Sequence, residues 1–165
     1  MDFLKTAPVR FLLLVTGAWL VVFLLTRSVL LLTHLDEAGG VALSVFGIGL
    51  LYDLGFLAYA ALPMGLYLLL CPPALWRRRG HRWFLQGLLT VSLFAMLFTS
   101  VAEWLFWDEF GVRFNFIAVD YLVYSDEVLN NVLESYPIGM LLSILALLAV
   151  ALSFALRKPF NAALD

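Results

Sequence analysis

Apolar residues run along the chain in four long blocks, at 11 to 33, 41 to 70, 84 to 107 and 137 to 156, with short polar stretches between them. Each block meets the requirement of about 20 apolar residues for crossing a hydrocarbon layer of roughly 30 Å. Backbone polar groups in lipid must be satisfied within the chain, so runs of this length predict helices. The pattern therefore predicts an all-α, polytopic membrane protein with four transmembrane helices. The second block, 30 residues long, would make a helix of about 45 Å and must tilt, bend or protrude. Pro63 lies well inside it and predicts a kink near Leu62. Dividing that block would give two pieces of about 15 residues, too short to span. The first block exceeds the apolar core of a signal peptide, and no small-residue cleavage pattern follows it before Asp36, so it reads as a retained anchor.

What remains falls into pieces of 10, 7, 13, 29 and 9 residues. Chains below about 40 residues rarely fold alone. Residues 1 to 165 thus form one membrane domain with no room for a separate soluble catalytic domain.

Composition agrees: 64% of residues are hydrophobic and 13% charged, against roughly 45–50% and 25% in a soluble domain. A net charge of -2 gives no basic surface to attract a nucleic acid. The single cysteine, Cys71, can form no internal disulfide, and no Cys/His spacing suggests zinc or haem. His34 and His81 stand alone, on opposite sides of the membrane, and cannot share a metal.

Charge also orients the spans. Lys5, Arg10, Arg77, Arg78, Arg79, Arg82, Arg157 and Lys158, eight of the ten basic residues, fall on one side. Asp36 and Glu37 face the other side, as does the segment 108 to 136, with six acids against Arg113 alone. The positive-inside rule places both ends of the chain in the cytoplasm and the long segment outside.

That outer segment has helical patterning. Phe114, Ile117, Tyr121 and Tyr124 share one face, and Ser125 is placed to cap a second helix with Asp126 and Glu127 in its first turn. The expectation is two short amphipathic helices on the outer face. They either plug the mouth of the bundle or contact substrate.

The stretch from Glu109 to Pro137 carries Glu-Phe-Gly-Val-Arg-Phe-Asn-Phe-Ile-Ala-Val-Asp-Tyr-Leu-Val-Tyr and then Glu-Ser-Tyr-Pro. It resembles the outer segment of the lipoteichoic acid synthase family, the sulfatase-like phosphoglycerol transferases, in their Gram-negative form. Leu51-Tyr52-Asp53-Leu54 and Leu62-Pro63 are similar to the same region of that family. The resemblance implies a bacterial inner-membrane enzyme with five spans and an outer domain of alkaline-phosphatase type. There a threonine and manganese or magnesium would transfer glycerol phosphate from phosphatidylglycerol. None of that machinery maps to a residue here, so no catalytic or metal-binding residue and no cofactor is assigned to this chain. Four spans depart from the pattern. A chain returning to the cytoplasm at Arg157 and Lys158 needs one more span, and 158 to 165 fits a connection to it. The expected partners are membrane lipids, phosphatidylglycerol among them, and the chain's own missing catalytic domain.

Within the spans Asp53 is conspicuous, because a charge at mid-membrane costs about 2.5–3.5 kcal/mol on insertion scales. Arg27 is its nearest candidate partner, about 9 Å deep against about 18 Å for Asp53 at 1.5 Å per residue. Together they read as an intramembrane polar clasp or as a site for a headgroup or ion. Arg27 and Arg113 are the candidate lipid-headgroup contacts. The alternatives are snorkelling for Arg27 and a surface salt bridge to Asp108 or Glu109 for Arg113. Asn115, Asp120 and Tyr121 are outer-segment positions that fix the outer helices or touch substrate. Glu103, among Trp104, Phe106 and Trp107, is expected at the interface and solvated. The leading function is therefore a membrane-anchoring, lipid-presenting domain. The other reading is a stand-alone four-helix scaffold or regulatory subunit.

Overall fold

A computed structural model describes residues 6–34, 42–76, 78–111 and 136–165, the side chains of residues 42, 43 and 109 excepted. Every described element is helical: α1 (Ala7–Thr33), α2 (Ala42–Leu70), α3 (Pro73–Trp76), α4 (Arg79–Phe110), α5 (Ile138–Ala155) and α6 (Arg157–Leu164). Four of these, α1, α2, α4 and α5, are long and apolar enough to cross a membrane. The protein is thus an all-α, membrane-spanning bundle. The segment expected to hold two amphipathic outer helices lies almost wholly outside the described residues.

Local chemistry explains the helix ends. Pro8 sits in the first turn of α1, where its missing N–H costs nothing. α2 continues past Pro63 to Leu70, and Pro72 and Pro73 then prevent its extension. α4 runs further at both ends than 84 to 107 and stops at Gly111. Gly111 adopts φ 65°, a left-handed conformation that glycine takes without strain, and its N–H bonds the Trp107 carbonyl at 2.7 Å. The eight residues of α6 were expected to be a plain connection. They form a helix that buries Phe160 and Ala163.

The helices order in space around α1, which packs on α2, α4 and α6, while α5 packs on α4. The core concentrates toward one end. Phe11 and Val15 of α1 and Leu85, Leu89 and Leu93 of α4 are fully buried, at four-residue spacing along each helix. Phe160 meets Phe11 edge to face at 6.0 Å, which brings α6 beside the start of α1. Arg10, Arg78, Arg79, Arg82, Arg157 and Lys158 collect at this basic end. His34, Trp107 and Tyr136 mark the far end.

Outside this core most apolar side chains face outward, Leu51, Tyr59 and Leu147 among them. Lipid tails are as apolar as leucine, so burial of such groups gives the helices little reason to associate. Polar links between helices supply part of the specificity. Thr90 and Ser153 hydroxyls lie 2.7 Å apart across α4 and α5, and Gln86 donates its amide to Ser153. Trp107 Nε1 donates to His34 Nε2 at 3.1 Å across α4 and α1. Thr16, Thr26, Ser28, Thr99, Ser100 and Ser143 instead donate to carbonyls one turn back, which satisfies each hydroxyl within its own helix.

Candidate functional site: a buried ion pair and an apolar groove

Arg27 of α1 and Asp53 of α2 meet inside the bundle. Nη2 of Arg27 donates to Oδ1 and Oδ2 of Asp53 at 2.9 and 2.8 Å. Arg27 is 2% and Asp53 7% exposed. The depth offset estimated from the sequence does not prevent the contact, because the long arginine side chain reaches across. Gly49 makes room for it. It sits one turn before Asp53 on the same face of α2, and a Cβ there would collide with Cζ and Nε of Arg27.

The pair is only partly satisfied. Nε and Nη1 of Arg27 are buried and have no hydrogen-bond partner among the described residues. Buried N–H groups left unmade carry a desolvation cost of about 1–3 kcal/mol each. The arrangement links α1 to α2 and leaves two donors able to take a further acceptor. Its net charge is close to zero, so a neutral oxygen or water suits it better than a free anion.

A groove opens on the opposite side of α1. Ala18, Val22, Thr26 and Leu30 of α1, Leu97 and Trp104 of α4, and Leu152 of α5 are among its lining residues, and it encloses about 680 Å³. Thr26 and Ser100 are its polar members, and both hydroxyls are spent on backbone carbonyls. From Ala18 to Leu30 it extends about 18 Å at 1.5 Å per residue. Its length and apolar lining suit a hydrocarbon chain.

Of the other residues singled out in the sequence, Arg113, Asn115, Asp120 and Tyr121 lie outside the described residues. Glu103 departs from expectation: it is 7% exposed rather than solvated. The reason is the greater length of α4, which sets Glu103 two turns inside the helix end. The histidines are not isolated either. His34 is held by Trp107, and His81 Nε2 lies 3.1 Å from Tyr67 Oη and 3.5 Å from Cys71 Sγ. Tyr67 lies in the last turn of α2 and Cys71 four residues on, just past its end, so both come to the same side. The sequence signal was there in the spacing, but only the return of the chain at the start of α4 brings His81 to it. His34 and His81 remain at opposite ends of the bundle. Among the described residues no three or more His, Cys, Asp or Glu side chains gather as a metal site.

Compared with family models, curated proteins and solved structures, the chain matches none.

Proposed function

We propose that this chain is the membrane domain of a sulfatase-like phosphoglycerol transferase, anchoring a catalytic domain and presenting a lipid substrate to it. Both chain ends are cytoplasmic on this reading, and the far end of the bundle faces outward. The observation that carries it is the groove between α1, α4 and α5, which is long, apolar and directed toward Trp104 at the far end. The resemblance of residues 109 to 137 to the outer segment of that family adds the chemistry. Those residues join α4 to α5 at the far end, where the headgroup of a lipid in the groove would emerge. The division of labour is simple. The bundle holds hydrocarbon, Arg113 meets the anionic headgroup, and the Arg27–Asp53 pair fixes α1 against α2. Transfer of glycerol phosphate, with its manganese or magnesium, belongs to a domain outside these residues.

The gene tests this directly. Past codon 165 the reading frame should encode a fifth apolar span and then several hundred soluble residues bearing a metal-binding threonine. A stop codon there would remove the transferase reading and leave a four-helix scaffold or regulatory subunit.

A further inference from the structure

At the basic end a second, polar cavity of about 540 Å³ lies between α3, α4 and the end of α6, lined by Trp76, Arg79, Arg82, Leu164 and Asp165. It is independent of the groove and of the proposed reaction. Arg82 Nη2 donates to Asp165 Oδ1, so a guanidinium is already seen holding an anionic oxygen in this cavity. Arg79 lines the same cavity and has no ion-pair partner among the described residues. The sequence from 77 to 82 holds four arginines and no acid, and two of the four, Arg79 and Arg82, line the cavity.

We propose that this cavity binds the phosphate of an anionic lipid from the leaflet at the basic end, seated between Arg79 and Arg82, with Asp165 as the group it displaces. Three features support the assignment. Phosphate and carboxylate oxygens accept the same charge-assisted bonds from guanidinium, and phosphate offers more of them. The Arg82–Asp165 pair is exposed, with side chains 41% and 66% accessible, and such pairs are weak and screened. Trp76 is held edge-on to His81 at 5.1 Å, which keeps beside the arginines an indole, a group favoured at membrane interfaces. Basic pockets between spans on the cytoplasmic side are well suited to anionic headgroups.

The test is lipid retention by the detergent-solubilised full-length chain, counted by native mass spectrometry with phosphatidylglycerol and phosphatidylcholine at equal concentration. Phosphatidylglycerol should be retained in preference. Arg79→Gln should reduce its retention about tenfold, the equivalent of one charge-assisted contact, and Asp165→Asn should raise it. The paired change Arg157→Gln with Lys158→Gln, which removes charge at the same end outside the cavity, should leave retention unchanged. Equal loss from that control would overturn the site in favour of diffuse attraction, as would absence of any preference for phosphatidylglycerol. Inorganic phosphate binding as tightly as the lipid would overturn the assignment to a lipid. Should Arg79→Gln fail to fold, Asp165→Asn still decides, because its predicted effect is a gain.

Discussion

Gly49 lies directly beneath the guanidinium of Arg27, on the helix that also supplies that guanidinium's carboxylate, Asp53. The absence of a side chain at one position thus permits an ion pair at another, one turn away. Gly49→Ala should displace the guanidinium and cost about 1–3 kcal/mol, the range for buried polar groups losing a partner. Gly55→Ala on the same helix meets no atom within 4 Å and should be neutral or slightly stabilising, since alanine loses less freedom in a helix. Thermal unfolding of the two variants in one detergent compares them.

Removing one partner of the pair should be worse than removing both. Asp53→Leu strands a charge that arginine does not give up, and a loss of about 3–5 kcal/mol is expected for a broken buried pair. Arg27→Met combined with Asp53→Leu should recover most of it. A double variant that stays as unstable as the single one would show that the pair holds something more than the other's charge.

The α4–α5 link should be weaker. Ser153→Ala removes the hydroxyl shared by Gln86 and Thr90, and interhelical hydrogen bonds in membranes average about 0.6 kcal/mol, with a maximum near 1.7. Equilibrium unfolding in mixed micelles resolves a loss of that size, and a loss above 3 kcal/mol would place a larger network at Ser153 than the one described.

Filling the groove separates lipid presentation from catalysis. Ala18→Phe places a ring where a hydrocarbon chain is proposed to lie. In the full-length enzyme it should lower turnover of a lipid substrate while sparing a small soluble phosphodiester. Arg113→Ala should divide the two substrates in the same direction. Equal loss on both substrates by either variant would end its lipid-presenting role.

The spans were legible because lipid imposes one demand, an uninterrupted apolar run, that needs no tertiary information. Arg27 and Asp53 were legible for the complementary reason: a charge inside such a run has to be explained. Helix rotation was not legible. With apolar residues on every face of α2, no stripe marks the buried side, so Gly49 looked like any other glycine in a span. Glu103 was misjudged because aromatic neighbours suggested an interface, whereas the Gly111 cap sets the helix end further on. His81 beside Tyr67 and Cys71 depends on how the chain turns between α2 and α4, and α6 folded back on Phe11 depends on a contact between the two ends of the chain.

The Arg27–Asp53 contact also bears on how the chain enters the bilayer. A lone arginine in the first span carries an insertion cost of about 2.5–3.5 kcal/mol. Its counter-charge arrives 26 residues later in the chain, on the next span to be made. The first two spans can therefore pass into lipid together as an electrically neutral hairpin. Separating them, by lengthening the seven residues that join the blocks 11 to 33 and 41 to 70, would test whether topology is decided at that moment.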